Sequence, residues 1–250
     1  MGINAALEAA KRGLKVVILE AYRLGGRARI DELPLEGMNI PLSHHVKKLI
    51  EELKQYKVQI LENTVLAGVF EDAVLAYNFS KPAPVTYLVN AKAWVLATGS
   101  IELPGIYENN DLPGTIDATT LLLLVNEYDF EFNRALLLGL TPFSTRIVKQ
   151  LAPKGIRFTI AVKRDSPYYS LVNEIRELEN IGIIDDVEEI VAKGGEKVKE
   201  AMIKRLNGKE HRVATDLIAF GALENPDLKI PNQFGCRIIY VNGLGFVPIS

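Results

Sequence analysis

Short runs of aliphatic residues alternate with amphipathic helices, and the alternation occurs twice along the chain. A helix-like segment over 3–12 precedes the apolar run 15–20; in the second half a run over 134–139 precedes a helix over 144–152 and a run over 157–162. Short apolar runs joined by helices are typical of parallel strands that are buried on both faces. The pattern predicts an α/β protein with two Rossmann-like units of similar construction.

The stretch between these two patterns has a β texture. Turn residues separate the segments 64–70, 73–79 and 85–89, which predict an antiparallel meander lying on the first sheet. The run 93–97 predicts another buried strand of that sheet, which gives a three-layer arrangement of helices, sheet and meander. Ser43 is expected to cap the next helix, over 44–56.

Proline and glycine mark the predicted domain limits. Pro104 and Gly105 indicate a crossing out of the first unit, and Asn225 follows the last apolar strand, 216–220. We therefore expect a first domain over 1–105, a second over 106–222, and a return to the first over 223–250. In the second domain a further helix is expected over 170–180 and strands over 187–192 and 199–206.

The composition excludes several classes of protein. With 29 basic against 31 acidic residues, the net charge of −2 leaves no basic stripe for nucleic acid. No apolar run approaches the ~18 residues of a membrane span, and no secretory signal precedes the first helix. A cytoplasmic location is therefore expected. Cys236, the single cysteine, excludes an internal disulfide and a redox cysteine pair, and is expected to be a buried thiol.

The histidines and the tryptophan give no site on sequence grounds. His44 and His45 are adjacent, so a helix points them about 100° apart, a poor geometry for a metal, and one should be exposed. His211, beside Arg212, is expected to be solvated in a polar turn, and Trp94 is expected in the core. No catalytic acid, base or metal-ligand set is identified.

Gly2 and Glu20 have the spacing of a dinucleotide-binding unit. In such a unit glycines begin the first helix, and an acid about 20 residues later accepts hydrogen bonds from ribose hydroxyls. Gly2 stands where the third glycine would, and Glu20 follows 20 − 2 = 18 residues later at the end of an apolar run. On spacing alone, an ordinary helix followed by a strand fits equally well.

Several segments occur in the order of the markers of one superfamily: GINAALEAAKRGLKVVILE over 2–20 with GGRA over 25–28, ATG over 97–99 with Pro104, the strand and loop 216–221 and 225–228, and the tail segments 235–240 and 243–248. Together they resemble the FAD- and NAD(P)-binding pyridine nucleotide-disulfide oxidoreductase superfamily. The tail resembles one branch of it, which contains the α subunits of heteromeric sarcosine oxidase and dye-linked L-proline dehydrogenase, together with a hydrogen cyanide synthase subunit.

The resemblance implies a flavin site in the first unit. By matched position it assigns FAD contacts to a set of residues: Gly2, Glu20, Gly25, Gly26, Arg27, Thr98 and Gly99. It further implies a flavin-dependent oxidoreductase subunit, with a role in electron transfer or in oxidation of an amine or amino acid such as sarcosine or proline, and a second oxidoreductase subunit as partner. The absence of a cysteine pair argues against disulfide-reducing chemistry.

The match is incomplete at both ends. The sequence begins inside the glycine fingerprint, without a first strand and its two glycines, and it stops before the family's Gly-Asp segment. Both missing pieces contact the flavin phosphates in the family, so weak or absent FAD binding is expected. In the usual order the first strand lies mid-sheet, so another segment of this chain, a strand from a partner chain or an upstream segment must fill its place. Of these three, we expect a natural start upstream of Met1.

The fingerprint of the second unit is altered. After Gly139, Thr141 stands at the fingerprint position where a glycine lets the backbone approach a pyrophosphate. Pro142 lacks an N–H donor, and Ser144 occupies the last position of the fingerprint. The next strand is followed by basic residues, Lys163 and Arg164, instead of an acid. We therefore expect that any NAD(P) binds weakly there, a 2′-phosphorylated nucleotide better than NAD; a solvated loop without nucleotide remains the alternative.

Two functions of different class fit the sequence. One is a flavin-dependent oxidoreductase subunit. The other is a non-catalytic relative that keeps the two-unit scaffold for assembly and has lost its cofactor, since fold alone does not establish function.

Overall fold

The computed structural model describes residues 1–80, 82–221, 224–242 and 245–249. The α-helices in this part of the chain are α1 (Gly2–Lys11), α2 (Leu42–Leu53), α3 (Ala118–Tyr128), α4 (Pro142–Leu151), α5 (Val172–Ile175) and α6 (Lys229–Gln233), and the 3-10 helices are Gly26–Ile30, Ala152–Lys154 and Tyr169–Leu171. The strands are β1 (Val16–Leu19), β2 (Val58–Leu61), β3 (Thr64–Val69), β4 (Val74–Asn78), β5 (Val85–Val89), β6 (Ser100–Glu102), β7 (Thr115–Asp117), β8 (Arg134–Leu138), β9 (Arg157–Ala161), β10 (Ile181–Ile184), β11 (Val187–Gly194), β12 (Val198–Arg205), β13 (Glu210–Ala214), β14 (Leu217–Phe220), β15 (Glu224–Pro226), β16 (Arg237–Val241) and β17 (Gly245–Ile249).

The chain divides into two compact units. The first contains Met1–Ile101 and Asn225–Ser250, and the second contains Glu102–Glu224. The limits expected from the sequence at 222 and 223, and the tail residues Gly243 and Leu244 of the family resemblance, lie outside the described residues. The predicted α/β class is confirmed.

The first unit is built on a parallel pair of strands. Strands β1 and β2 align Val16 with Val58 and Leu19 with Leu61. Helices α1 and α2 cover one side of this pair with an aliphatic cluster that includes Ile3, Leu7 and the fully buried Leu53. Burial of such side chains contributes about 1.5–3 kcal/mol each. The cluster fixes the start of α1 relative to the end of β1.

The predicted meander is present, and the tail forms a hairpin. Strands β3, β4 and β5 pair in that order and antiparallel. Strands β16 and β17 pair antiparallel, with Tyr240 beside Phe246. The prediction of Trp94 as a core residue is only partly met, because its half-buried ring packs against Phe234 at a centroid distance of 5.5 Å.

The buried strand predicted over 93–97 does not form, so that prediction is wrong. Within the described residues no backbone N–H or C=O of 93–97 has a backbone partner, and Val95 is 73% exposed. Strand β1 pairs only with β2, and Val17 is 43% exposed. A strand needs the backbone of a neighbour, and here none of the described segments lies beside 93–97 to form a ladder. We refer to this edge of β1 together with 93–97 as the open edge.

The second unit has a five-stranded parallel sheet in the order β10-β9-β8-β14-β7. Strand β8 is central, and its residues Ala135, Leu136 and Leu137 are almost completely buried. Strands β9 and β10 extend to one side of β8 and β14 lies on the other. The strand order therefore changes direction between β8 and β14. Doubly wound folds bind their ligands at such a switch point, next to the carboxyl ends of the strands.

A second meander covers one face of this sheet. Strands β11, β12 and β13 are antiparallel, and a buried cluster joins Leu136 and Ile218 of the sheet to Ala201 and Ile203 of the meander. The sequence predicted the strands that became β11 and β12 but missed β10 and β13. No helix in the described part of the chain is long and apolar enough to cross a membrane.

Two local predictions about helices are wrong. Helix α2 begins at Leu42 without a side-chain cap, and the backbone N–H of Ser43 donates instead to the Asp31 carbonyl at 2.9 Å. The helix expected over 170–180 is reduced to a 3-10 turn and the four-residue α5. The single cysteine, Cys236, is half-buried and not fully buried as expected.

Candidate functional site

Helix α1 begins with backbone donors that are free of internal partners. Its first intrahelical bond runs from the Ala5 N–H to the Met1 carbonyl at 3.1 Å, and no side chain caps the helix. Among the described residues, the N–H groups of Gly2, Ile3 and Asn4 therefore have no acceptor. A Cβ on Gly2 would lie 3.2 Å from that of Ala97. The helix start is thus held against 97 while its positive end stays accessible to an anion.

Glu20 lies directly after β1, where the sequence placed a ribose acceptor. Its N–H donates to the Leu61 carbonyl at 3.0 Å, and its Oε1 accepts the Tyr22 N–H at 3.0 Å. Burial raises the pKa of Glu20, and the nearby Glu62 carboxylate raises it further, whereas the Tyr22 N–H and Arg29 lower it. Glu62 in turn accepts the Leu24 N–H at 2.7 Å. Among the described residues no hydrogen bond reaches the second carboxylate oxygen of Glu20.

The glycine-rich loop owes its path to its two glycines. Gly25 has φ 106° and a Cβ there would come within 2.6 Å of the Val46 side chain, while Gly26 has φ 51°. Only glycine adopts the first of these conformations without strain. Arg27 follows in the 3-10 helix and its Nη2 donates to Ser100 Oγ at 2.5 Å.

Thr98 and Gly99 are tied to the returning segment of the chain. The Thr98 hydroxyl donates to the Asp227 carbonyl at 3.2 Å, and the Gly99 carbonyl accepts the Asp227 N–H at 3.0 Å. Gly99 has φ 73°, which favours glycine. These bonds hold the turn in place but occupy the Thr98 hydroxyl.

The residues predicted for the flavin site are only partly brought together. Segment 97–100 contacts Gly2 through Ala97 and Arg27 through Ser100, whereas Gly25 lies against α2. Sequence reasoning missed Ser100, Glu62 and Asp227. A signal existed for Glu62, because it follows β2 just as Glu20 follows the adjacent β1.

The open start of α1 and the carboxylate of Glu20 fit the pyrophosphate and ribose of an adenine dinucleotide such as FAD. Both elements stand at the carboxyl edge of the parallel pair, the edge at which this kind of unit binds nucleotides. Neither element contributes a contact for the isoalloxazine ring.

The corresponding helix of the second unit is closed by its own side chains. Thr141 Oγ1 accepts the Ser144 N–H at 3.2 Å, and Ser144 Oγ accepts the Thr141 N–H at 2.8 Å, a reciprocal capping box. Pro142 occupies the first helical position and has no N–H. Both Thr141 and Ser144 are buried. Gly139, at φ 79°, donates to the Ala161 carbonyl at 2.8 Å. Few donors therefore remain for a pyrophosphate at this helix.

The two basic residues after β9, Lys163 and Arg164, differ in their contacts. Arg164 forms ion pairs with Asp185 at 2.5 Å and with Asp186 at 3.0 Å, and Arg205 also contacts both aspartates. Although burial alone would raise it, the pKa of Asp185 is lowered by Arg164 and Arg205. Lys163 is exposed. Of the pair, Lys163 is the one that is not engaged by the aspartates.

No protein-family model matches the sequence, and no curated protein matches it. Among solved structures, L-proline dehydrogenase from P. horikoshii superposes with a TM-score of 0.75 at 24% identity, over 99% of this chain and 45% of that one. Thioredoxin reductase from T. acidophilum gives 0.73 at 20% identity, over 95% and 78%. A NAD-dependent persulfide reductase from A. fulgidus gives 0.66 at 18%, over 96% and 46%.

The chain shares its fold with these three oxidoreductases. The resemblance stated from the sequence is confirmed at the level of fold. The chain spans about half the length of the proline dehydrogenase chain that it matches.

Proposed function

We propose that this chain is a component of a flavin-dependent oxidoreductase and that its first unit binds the adenosine diphosphate part of FAD. The difference between the two helix starts carries the proposal. Helix α1 presents unbonded N–H groups close to the end of β1, where Glu20 stands, whereas α4 is closed by Thr141 and Ser144. Bound flavin would supply the electron or hydride transfer.

The residues of the first unit have separate binding roles in this proposal. The first N–H groups of α1, from Gly2 onward, donate to the pyrophosphate, and Glu20 accepts from the ribose hydroxyls. Gly25 and Gly26 let the loop pass close to the nucleotide, and Arg27 is oriented by its bond to Ser100. Thr98 and Gly99 hold the crossing turn beside the site.

The substrate class that we propose is an amine or amino acid of the proline or sarcosine type, with a second oxidoreductase subunit as electron-transfer partner in the cytoplasm. The tail resemblance and the structural likeness to an L-proline dehydrogenase support this choice. The single cysteine supports a reaction without a dithiol relay.

The competing candidate is a scaffold without cofactor. The sealed start of α4 and the unpaired backbone over 93–97 favour it, because both remove surroundings that a nucleotide needs. Under this alternative the two units serve only assembly.

The deciding experiment is reconstitution of the purified full chain with FAD, followed by absorption spectroscopy and titration. We expect a flavin spectrum, with affinity lowered about tenfold or more in Glu20→Gln, since a hydrogen bond to a charged group contributes about 1.5–3 kcal/mol. Glu8→Gln is the matched control: Glu8 is an exposed residue of α1, and its carboxylate lies 4.0 Å from Arg12. Absence of saturable FAD binding would overturn the proposal and leave the scaffold alternative, and equal loss in both variants would remove Glu20 from the site.

A further inference from the structure

The second unit contains a cavity of about 320 Å³ that lies away from the start of α4. Its polar walls come from the first residues of β8 and β9 and from β13: Arg134, Arg157, Thr159, His211 and Arg212. The amino ends of parallel strands lie at the edge opposite to the one that binds dinucleotides in this fold. Ile184, the last residue of β10, also lines the cavity, but no residue of the loop 139–144 does, so the cavity is separate from the start of α4.

Two arginines stand side by side on one face of the sheet. Arg134 and Arg157 are aligned as partners in the β8–β9 ladder. The charge of Arg134 is balanced by Asp216, whose carboxylate lies 3.0 Å from Nη2 and also accepts the backbone N–H groups of Asn133 and Arg134. Among the described residues Arg157 has no acidic partner. Arg157, an exposed residue, thus presents its guanidinium at the cavity without a carboxylate partner.

His211 contributes a polar atom that lacks a partner. The sequence indicated a solvated turn, but His211 lies within β13, and its Nε2 is buried with no hydrogen-bond partner among the described residues. The expected polar turn is wrong, because His211 is aligned with Ile203 of β12 in the meander and is a half-buried residue at the cavity. A buried nitrogen without a partner is rare in native proteins, and a ligand is one recognised reason for it.

Arg212 adds little to the cavity's own charge. Its Nε lies 3.5 Å from Glu200, and its side chain is largely exposed. Thr159, two residues after Arg157 on the same strand face, supplies a hydroxyl. The wall therefore combines one exposed guanidinium without an acidic partner, one buried imidazole nitrogen and one hydroxyl.

We propose that this cavity binds the phosphate group of a small phosphate ester. The Arg157 guanidinium donates a fork of two N–H groups to the phosphate, which is the geometry that this side chain recognises. His211 donates from Nε2 to a further oxygen, and Arg134, with Asp216 as its counter-ion, lines the adjacent wall. At about 320 Å³ the cavity is near the lower end of the range for small-molecule sites, so it admits a phosphate monoester and not a dinucleotide.

Titration of the full chain with inorganic phosphate tests the site. Isothermal titration calorimetry should show saturable binding, and NMR should show a shift of one imidazole C–H signal among those of the three histidines. We expect Arg157→Gln to weaken binding at least tenfold. Arg176→Gln is the matched control, because it removes an exposed charge of the same unit that does not line the cavity. Equal weakening by the two substitutions, or no saturation, would overturn the proposal.

A second variant assigns the imidazole. His211→Phe keeps a ring of similar size and removes the nitrogen donor, so it should abolish the shifting signal and weaken phosphate binding while the melting temperature shows that the fold is kept. Parallel titrations with glycerol 3-phosphate and with acetate separate phosphate from carboxylate recognition. Acetate binding as tight as that of phosphate would refute the assignment to phosphate esters.

Discussion

Ser144 closes the start of α4, and its replacement by alanine should destabilise the second unit. The Ser144 side chain is fully buried, its Oγ accepts the Thr141 N–H at 2.8 Å, and it lies 3.2 Å from the Gly221 carbonyl, to which it can donate. Ser144→Ala removes both bonds and keeps Cβ. A Cβ on Gly221 would lie only 2.7 Å from that of Ser144, so the surroundings are tightly packed.

The magnitude follows from the bonds that are lost. A buried donor or acceptor without a partner costs about 1–3 kcal/mol. The Thr141 N–H and the Gly221 carbonyl both lose this hydroxyl, and the close approach at Gly221 restricts replacement by water. We expect a loss of about 2–4 kcal/mol in the free energy of unfolding, since a lost cap alone costs about 0.5–2 kcal/mol.

The two units can be followed separately in this experiment. The single tryptophan, Trp94, lies in the first unit, so its fluorescence reports there, while hydrogen exchange at the amides of α4 reports on the second. Urea unfolding by circular dichroism gives the free energy. Ser170→Ala, at an exposed serine of the same unit, is the control and should change it by less than about 0.5 kcal/mol. A loss below that value in Ser144→Ala would refute the structural reasoning.

Three further outcomes are expected. Glu20→Gln should be more stable than the parent at pH 7 and equal to it near pH 3. Because the folded-state pKa of Glu20 is raised, the parent loses stability as the pH rises through that pKa. Melting temperatures measured across this pH range would show the difference. A five-residue Val- and Ile-rich strand fused ahead of Met1 should raise the melting temperature and slow hydrogen exchange at 93–97, because it supplies backbone partners to the open edge. A Gly-Ser extension of equal length should do neither. Unchanged exchange with both extensions would contradict the open edge. NADPH should bind weakly, but better than NADH by ~1 kcal/mol. Lys163→Gln should remove this preference, whereas Arg164→Gln should leave it unchanged because Arg164 is already paired with Asp185 and Asp186. Titration of each variant with both nucleotides tests this.

Local signals predicted the second unit well. Strands β8 and β9 follow from their aliphatic runs, and each begins at the residue that the sequence indicated, Arg134 and Arg157. Helix α4 begins two residues earlier than expected, because Thr141 acts as its cap and Pro142 suits the first helical position.

Features that depend on distant partners were not predictable from pattern alone. The run 93–97 has the composition of a strand, but a strand exists only where another backbone completes its ladder. The ion pair of Arg164 depends on Asp185, which is 21 residues away, and the position of His211 depends on the pairing of β13 with β12. The flavin-site residues kept their local order, but no local pattern specifies the distance between Gly2 and segment 97–100.

The strands that lead into and out of the second unit, β6 and β15, are neighbours in one small sheet. Pairing them closes a loop of roughly 120 residues, and loop-closure entropy changes by only about 0.6 kcal/mol per doubling of length. Replacing residues 103–223 with a four-residue turn corresponds to about five halvings, so the shortened loop would close at a cost about 3 kcal/mol lower. We therefore expect that residues 103–223 can be replaced by another domain while the pairing of β6 with β15 is kept.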